Sequence, residues 1–392
     1  MIPRTLEQKL HDLTVYYPAV LVTGPRQSGK TTLCQMVYPD KPYVSLEALD
    51  IRDFARSDPR GFLAEYAGGA VIDEIQHVPE LFNYLQTDID ARPDPGRFIL
   101  TGSQHFGLSQ SIAQSLAGRC GILVLLPPSL EELGRFPTAP ADLFTLLWQG
   151  AYPRIYDRHI PAQQWLADYA ATYVQRDVRQ VINVGDLQAF SGFLKLCAGR
   201  TAQEINLSAL SNDVGVSHNT VRAWMSVLET SYIIHRLPAW HTNIRKQVIK
   251  APKLHFFDSG LTCYLLGIRE PGQLRLHPLR GAIFESWVVS EIYKVCVHRG
   301  IQPGLFHYRE ARGSEIDLLI EEGEELAAVE IKSGATTTPD FFKNLKRFSD
   351  SMKGVGQTRR IRSHVVYGGD HSQQRSYAQV LSWRHVQRVI VD

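Results

Sequence analysis

Short apolar segments alternate with helical patterns along the first third of the chain. The apolar segments begin at Ala19, Tyr43, Ala70, Phe98 and Cys120. Strands that alternate with helices are typical of a parallel sheet with helices on its faces. We therefore predict a parallel α/β unit that ends near Leu126, because Pro127 and Pro128 follow it.

The pattern changes twice after this unit. From about residue 142 to residue 266 the apolar residues follow mainly helical spacing. After Pro271 and Gly272, a helical stretch leads into strand-like segments, a further helix and a last strand. We predict an α/β protein of three domains, in which a parallel-sheet domain, a helical region and a mixed α/β domain follow one another. Their boundaries are residues 1–141, 142–270 and 271–392.

Composition restricts the class of protein. The chain has 392 residues, of which 44% are hydrophobic and 21% are charged, and this balance excludes a disordered or fibrous protein. No apolar run reaches the length of about 20 residues that a membrane-spanning helix needs, and the polar N-terminus does not match a signal peptide. Its 5 cysteines are isolated from one another, which indicates reduced thiols. We therefore expect a cytoplasmic protein without a membrane partner.

The strongest motif is the segment Gly24–Thr31, which fits the phosphate-loop pattern G-x-x-x-x-G-K-[ST]. A predicted strand precedes it and a predicted helix follows it, and in this context backbone N–H groups and a helix N-terminus bind phosphate. Lys30 is expected to reach the β- and γ-phosphates of ATP, and Thr31 to coordinate Mg²⁺. The residues expected to bind the nucleotide are Gly24, Pro25, Arg26, Gln27, Ser28, Gly29, Lys30, Thr31, Thr32 and Asp73.

Two acidic residues, Asp73 and Glu74, end the third apolar segment. A charge at the end of a buried strand is costly unless it meets a ligand, and ligands bind at the carboxyl edge of a parallel sheet. Asp73 fits the acid that orients the metal. Strand alternation points Glu74 in the opposite direction, and Glu74 fits the base that polarises the attacking water.

These motifs resemble the AAA+-type P-loop ATPase domain of a large prokaryotic family in which a C-terminal domain of unknown function follows. The resemblance rests on TGPRQSGKTT, on AVIDEIQHVPELF and on ILTGSQ followed by LAGR, and it continues through FFDSGLTCYLLG to the carboxyl end. It implies an ATPase fold but no defined cellular role. No arginine clearly matches the second sensor of the wider AAA+ class, which argues against a ring assembly of the usual kind.

The fourth apolar segment and the helix after it hold further candidates. In ring and clamp ATPases a polar residue at this strand end senses the γ-phosphate, and the candidates here are Thr101, Ser103 and Gln104. A plain strand-to-loop turn is the alternative. Arg119 ends the next predicted helix. It is expected either to be an arginine finger, acting on its own nucleotide or on that of a neighbour in a homo-oligomer, or to be a favourable cation at a helix C-terminus.

The segment Thr201–Glu229 has a helix-turn-helix pattern with Gly215 in its turn. The second helix presents polar side chains that would approach a DNA groove. Those side chains are Ser217, His218, Asn219 and Arg222. Because the formal net charge of the chain is only +2, DNA binding would depend on local basic patches.

Residues 239–252 are predicted to form a wing between two strands. From residue 214 to residue 257, 6 basic residues stand against one acid, Glu229, and a locally basic surface is what phosphate neutralisation requires. The basic residues of the wing and of the strand after it are Arg245, Lys246, Lys250 and Lys253, and the first three are expected to bind DNA. The alternative is a winged helix that docks a protein or separates subunits.

The last domain holds Glu315-Ile-Asp317 on one predicted strand and Glu330-Ile-Lys332 on the next. The outer residues of each triplet share a face, so Asp317 and Glu330 are expected to meet as Mg²⁺ ligands beside Lys332. Glu285, on the preceding helix, would add a carboxylate. This arrangement resembles the PD-(D/E)XK nuclease core, except that Glu-Ile precedes Asp317 where proline often stands. The alternatives are a hairpin with salt-bridged side chains and a nuclease fold kept only for DNA binding.

Together these features favour a nucleotide-dependent protein that acts on duplex or branched DNA. ATP and Mg²⁺ would bind at the N-terminal domain, the winged helix would bind DNA, and the nuclease-like domain would bind or cut it. The alternative is a switch, in which the nucleotide state gates a DNA- or protein-binding surface and the nuclease-like core is inert.

Overall fold

The computed structural model describes residues 1–103, 115–172, 187–241, 251–310, 314–354 and 359–390. Some of the predicted site residues lie outside the described residues. They are Gln104, Arg245, Lys246 and Lys250. No helix in the described ranges is both long enough and apolar enough to span a membrane.

A parallel sheet forms the core of the N-terminal third, as the alternating pattern predicts. Its strands are β1 (Ala19–Thr23), β2 (Tyr43–Ser45), β3 (Ala70–Asp73), β4 (Phe98–Gly102) and β5 (Cys120–Val124). Their order in the sheet is β2-β3-β4-β1-β5, and the neighbouring strands are parallel. Because β1 lies between β4 and β5, the loop after β1 leaves the carboxyl edge inside the sheet, where α/β proteins bind ligands.

Helices cover both faces of this sheet. They are α1 (Leu6–Tyr16), α2 (Lys30–Val37), α3 (Leu49–Ser57), α4 (Pro59–Glu65) and α5 (Leu81–Ala91), with a 3₁₀ turn at Ile75–His77. In β1, Val20 and Val22 pack on the side of α1 and α2, whereas Ala19 and Leu21 pack on the side of α4 and α5. A strand that is buried on both faces reads as a continuous apolar run, which explains the sequence of β1.

The middle of the chain is mainly helical, as predicted. Its helices are α6 (Leu130–Leu133), α7 (Leu143–Gln149), α8 (Pro153–Asp157), α9 (Ala162–Thr172), α10 (Leu187–Gly199), α11 (Leu207–Val214), α12 (His218–Thr230), α13 (Ser259–Leu265) and α14 (Pro271–Leu276). Gly215 ends α11 in the left-handed conformation, with a φ of 78°. Ser217 Oγ caps α12 by accepting a hydrogen bond from Thr220 N over 3.1 Å. Two helices and a tight turn therefore stand where the helix-turn-helix pattern places them.

A small antiparallel sheet accompanies these helices. Its strands are β6 (Gln203–Glu204), β7 (Ile234–Leu237) and β8 (Lys253–Phe256), in the order β6-β8-β7. The predicted wing is the chain between β7 and β8. Strand β8 thus brings the chain back from the wing into the body of the molecule.

A mixed sheet forms the last part of the chain and completes the predicted α/β architecture. Its strands are β9 (Leu305–Arg309), β10 (Glu315–Glu322), β11 (Glu325–Lys332), β12 (Arg360–Tyr367), β13 (Gln373–Gln374) and β14 (Gln379–Ser382), in the order β13-β14-β12-β11-β10-β9. Strands β9, β10 and β11 are antiparallel neighbours, while β12 is parallel to β11 and to β14. Helix α15 (Arg280–His298) packs on one face and α16 (Lys343–Gly354) on the other. Short 3₁₀ segments lie at Pro339–Phe342 and Trp383–Val389.

A buried ion network ties the N-terminal sheet to α15. The carboxylate of Glu132, which is fully buried, lies 3.1 Å from Arg4 Nε and 3.2 Å from His298 Nδ1. Arg4 also donates to Ser28 O, in the phosphate-loop segment, over 2.9 Å. Burial acts to raise the pKa of Glu132, but His298 and Arg4 hold that pKa well below its usual value. The carboxylate therefore stays charged and joins three distant parts of the chain.

Glu132→Gln is expected to lower the free energy of unfolding by about 3 kcal/mol, because it leaves the buried Arg4 guanidinium without its anionic partner. Glu131→Gln is the matched control, since that neighbouring glutamate is 55% exposed and pairs only with Arg135 among the ion pairs of the described residues. Its loss should stay below about 0.5 kcal/mol. Urea denaturation followed by tryptophan fluorescence measures both variants. Equal losses would contradict a stabilising role for the network.

Candidate functional site

The phosphate loop lies between the end of β1 and the start of α2. Gly24, Gln27 and Gly29 have positive φ angles of 142°, 62° and 97°, and these angles turn the chain tightly. A Cβ atom at Gly24 would lie only 2.2 Å from Leu125 O. Glycine is therefore required at the first position of the motif by the close approach of the β5 segment.

Lys30 is buried at the start of α2 and points back into the loop. Its Nζ donates to Gly24 O over 3.1 Å and to Pro25 O over 2.8 Å. Burial, partly offset by the charge of Glu74, lowers the pKa of Lys30 to about 8. A buried ammonium group is stabilised by an anion placed beside it. The surroundings of Lys30 therefore suit a nucleotide phosphate.

Asp73 receives hydrogen bonds from three other elements. Thr31 Oγ1 donates to Asp73 Oδ1 over 2.9 Å, and Thr101 Oγ1 donates to the same oxygen. Tyr43 OH donates to Asp73 Oδ2 over 2.8 Å. Burial and this hydrogen bond raise the pKa of Tyr43, so its hydroxyl remains a donor. Thr31 and Asp73 can be recognised from the sequence motifs in which they lie. No local motif marks Tyr43.

Glu74 does not continue the alternation of β3. Its φ of 55° is left-handed, and the strand ends one residue earlier. The expectation that strand alternation points Glu74 away from Asp73 is therefore wrong. Its carboxylate accepts a hydrogen bond from Gln76 Nε2. Glu74 and Asp73 line the same cavity.

Of the two sensor candidates that the structure describes, Thr101 lies closer to the acids. It donates to Asp73, and its Oγ1 accepts a hydrogen bond from Glu74 N over 3.3 Å. Ser103 is buried after the end of β4, where its hydroxyl has no hydrogen-bond partner within the described part of the chain. Ser103 is also not among the residues that line the cavity.

Arg119 lies at the opposite end of the sheet from the phosphate loop. Its carbonyl oxygen accepts from Ala19 N, at the start of β1, and β1 then runs for 5 residues before the loop begins. At about 3.3 Å per residue this separation is about 16 Å. The guanidinium instead pairs with Asp90 over 2.5 and 3.0 Å. The prediction that Arg119 acts on the nucleotide of its own chain is therefore wrong, while action on a neighbour's nucleotide stays a prediction.

A cavity of about 500 Å³ opens over the phosphate loop. Its far wall comes from the N-terminus, from Arg154 and Asp157 of α8, and from Arg158, which follows that helix. The Met1 ammonium group lies 3.0 Å from Asp157 Oδ1. Two arginines from outside the parallel-sheet unit thus line the cavity, although the sequence shows no clear second-sensor arginine. Their approach to the cavity depends on tertiary packing. The only local indication of α8 in its sequence is Pro153, because proline is favoured at the first position of a helix.

The predicted nuclease-like residues Asp317, Glu330 and Lys332 lie together on the mixed sheet. Lys332 Nζ lies 2.6 Å from Glu330 Oε2 and 3.3 Å from Asp317 Oδ2. Glu330 is 1% exposed, and its Oε1 has no hydrogen-bond partner among the described residues, although the neighbouring Asn344 acts to lower its pKa. Burial, followed by the charge of Asp317, raises the pKa of Glu330.

Strand β10 changes its register against β9 between Ile316 and Leu319. Bulges of this kind re-aim side chains and occur beside active sites. Asp317 therefore lies within this break in the ladder, and Ile331 N donates to its Oδ2 over 2.7 Å. The bulge and this bond fix the position of the Asp317 carboxylate.

Glu285, the fourth predicted residue of this site, is held by a lysine from β8. Lys253 Nζ lies 2.8 Å from Glu285 Oε1 and 2.6 Å from Glu315 Oε1. Lys253 is buried, so it adds nothing to the basic surface predicted from the six basic residues of this segment. Burial acts to lower the pKa of Lys253, but the nearby carboxylates raise it, so the ammonium group stays charged. Within the described ranges, no three His, Cys, Asp or Glu side chains are arranged to hold a metal ion.

The side of α12 that is predicted to face DNA is open to solvent. Ser217, Asn219 and Arg222 are exposed, and His218 is half-buried. Pocket-like space of about 360 Å³ lies beside this helix, bordered by Arg222 and by Arg236 of β7. The exposed side of α12 therefore carries a cation at the edge of a groove.

Both ends of the predicted wing contact β9. On the outgoing side, Trp240 N donates to His307 O over 2.6 Å. On the returning side, His307 Nε2 lies 3.2 Å from Ala251 O. The wing is therefore anchored beside the strand that precedes Glu315 and Asp317.

Comparison with known families assigns the first third of the chain. A family model described as an AAA domain (AAA_14) matches residues 16–134, which hold the phosphate loop, Asp73 and Glu74. The N-terminal domain is a P-loop ATPase domain. Models described as domains of unknown function match residues 140–272 (DUF8612) and 280–386 (DUF4143).

Relatives of the whole chain extend beyond the ATPase domain. The uncharacterized protein Rv2008c of Mycobacterium tuberculosis is 28% identical over 357 residues, which are 90% of this chain and 77% of the relative. A Walker-type ATPase of Pyrococcus abyssi is 16% identical and has a TM-score of 0.45, with 66% of this chain and 94% of that chain covered. RuvB of Thermotoga maritima is 20% identical and has a TM-score of 0.32, with 60% and 90% covered. The ATPase assignment rests on the domain match and the loop geometry.

Lys30→Ala is expected to abolish nucleotide binding, because it removes the buried charge beside the phosphates. Glu74→Gln should still bind ATP but lose hydrolysis by about 10²–10⁴-fold, since only the water-activating group changes. Glu80→Gln is the matched control, because Glu80 is 50% exposed and lies 3.6 Å from Arg56. A fluorescent ATP analogue measures binding, and phosphate release measures turnover. Equal turnover in the two glutamine variants would remove Glu74 from this role.

Proposed function

We propose that the chain hydrolyses ATP and acts on duplex or branched DNA through a winged helix and a nuclease-like last domain. The observation that carries the proposal is the element order of the mixed sheet. Helix α15, strands β9, β10 and β11, helix α16 and strand β12 follow one another. Acids lie on α15, β10 and β11, and a lysine stands two residues after the last acid. The domain boundaries at residues 141 and 270 belong to the proposal.

In the ATPase domain we assign roles to side chains that surround one cavity. Lys30 would lie against the β- and γ-phosphates, and Glu74 would orient the attacking water after its hydrogen bond to Gln76 opens. Thr31 and Asp73 fit a Mg²⁺ ion, because their side-chain oxygens already lie 2.9 Å apart and Mg²⁺ prefers oxygen ligands. When bound, the ion would supply charge neutralisation at the phosphates. Thr101 is the better sensor candidate than Ser103.

The winged-helix region is proposed to bind DNA phosphates. Helices α10, α11 and α12 followed by the β7–β8 hairpin have the order of a winged helix. The exposed Arg222 and the basic residues Arg245, Lys246 and Lys250 of the wing supply the positive charge. A duplex that contacts both α12 and the wing would be held mainly through its backbone.

The nuclease-like site is proposed to lie beside the DNA held by the wing. Both ends of the wing contact β9, and the next strand carries Asp317. The Asp317 carboxylate and the buried Glu330 Oε1, which has no hydrogen-bond partner in the part of the chain that the structure describes, fit a hard cation such as Mg²⁺. When bound, such an ion would activate water and neutralise charge on a phosphodiester. Lys332 would stabilise the developing negative charge.

A second function is favoured by the charge balance of this site. Lys253 and Lys332 already neutralise the acids, and the described residues contain no complete set of metal ligands. In this alternative the ATPase domain is a switch that gates a DNA- or protein-binding surface, and the nuclease-like sheet is inert.

Steady-state ATP turnover with and without DNA distinguishes the two functions. Turnover that rises with linear, forked, four-way or single-stranded DNA supports the DNA-acting protein. Slow turnover that is indifferent to all of these DNAs supports the switch. The Glu74→Gln variant supplies the background rate.

Arg245→Ala combined with Lys246→Ala is expected to weaken binding to every DNA sequence and to reduce the slope of log affinity against log salt by about one to two. Lys343→Ala combined with Arg360→Ala is the control, since it removes the same charge from side chains that are 65% and 79% exposed on other elements. Titration of a labelled duplex at several salt concentrations measures both. An unchanged affinity and slope in the wing variant would favour a protein-docking winged helix.

A further inference from the structure

Lys253 inserts a positive charge between carboxylates of the nuclease-like site. It is the first residue of β8, it is 4% exposed, and it lies within 2.8 Å of both Glu285 of α15 and Glu315 of β10. Its partners therefore belong to the last domain, whereas Lys253 itself belongs to the chain that returns from the wing. The contact joins the winged-helix region to the nuclease-like site through a buried ion pair.

The surrounding charges form one group, which we name the acidic cluster: Glu285, Glu315, Asp317 and Glu330. Lys253 contacts the first two of these carboxylates, and Lys332 contacts the other two. Glu330 is buried, and among the described residues one of its carboxylate oxygens has no hydrogen-bond partner. The cluster thus places four carboxyl groups beside two lysines.

A lysine is an unusual choice for this position if only stability matters. Burying an ion pair seldom improves stability over an apolar pair of similar size, and the neighbouring β8 residues Leu254 and Phe256 are apolar and buried. A divalent cation bound by Asp317 and Glu330 would draw on Glu285 as its additional carboxylate, and Lys253 now holds Glu285. An ammonium group and a metal ion cannot share this space.

We propose that Lys253 occupies the divalent-cation position of the acidic cluster, so that a metal ion binds there only when Lys253 withdraws. The proposal rests on the proposed nuclease-like function and concerns the regulation of that site. Lys253 begins β8, and His307 of β9 contacts the chain just before it through Ala251 O.

Mn²⁺ binding to the full-length protein without nucleotide tests the proposal. The signal of free Mn²⁺ in electron paramagnetic resonance gives the affinity. Lys253→Met should bind Mn²⁺ at least about tenfold more tightly than the wild type, because it removes a neighbouring positive charge and vacates its space. Lys343→Met, at a lysine that is 65% exposed, is the control and should show no change. Asp317→Asn in the Lys253→Met background should abolish the gain and so assign it to the cluster.

A charge-balanced variant separates occupancy from net charge. Lys253→Met combined with Glu315→Gln has the same net charge as the wild type but lacks the ammonium group. It should keep most of the gain in Mn²⁺ affinity, and it also serves if the single variant does not fold by circular dichroism. Loss of the gain in this double variant would overturn the proposal, since only net charge would then matter.

Two further outcomes test the blocking role of Lys253 and the metal-dependent function separately. Tight Mn²⁺ binding at the cluster that is equal in the wild type and Lys253→Met would overturn the blocking role and leave the nuclease-like function standing. Absence of Mn²⁺ binding at the cluster in every variant would overturn both the blocking role and the metal-dependent function.

Discussion

A charged side chain that leaves water needs a partner, and the network around Glu132 meets this need with residues from separate parts of the chain. Arg4 comes from the segment before the first helix, and His298 comes from the end of α15. The same arginine reaches the phosphate loop through Ser28 O. The nucleotide site and the last domain are therefore held in one arrangement by contacts that none of the parts could satisfy alone.

Two lysines show how differently a protein can treat a buried ammonium group. Lys30 faces carbonyl oxygens, and burial lowers its pKa. Lys253 faces two carboxylates, and its pKa is raised despite burial. The first surroundings are prepared for an anion from outside the chain. The charge of Lys253 is already balanced by carboxylates of the chain itself. The two sites therefore call for different ligands and different control variants.

The alternation of apolar segments was sufficient to predict the parallel sheet, because its strands are buried on both faces and their sequence is constrained along its whole length. Lys30, Thr31 and Asp73 were recognisable because each lies in a contiguous motif. Tyr43, Arg154 and Arg158 reach the cavity from other elements, and no local pattern records such an approach. Glu74 was misjudged in direction because one left-handed residue ends the strand. The six basic residues counted around the wing overstate its basic surface, because the sequence does not distinguish an exposed lysine from the buried Lys253.

Helix α15 has a mechanical consequence that follows from its length. Glu285 lies near its start and His298 at its end, and at 1.5 Å per residue the two are about 20 Å apart. The hydrogen bonds of one continuous helix hold these two residues at a fixed distance. The network around Glu132, next to the phosphate loop, and the acidic cluster beside Lys253 are therefore joined by a single rigid element.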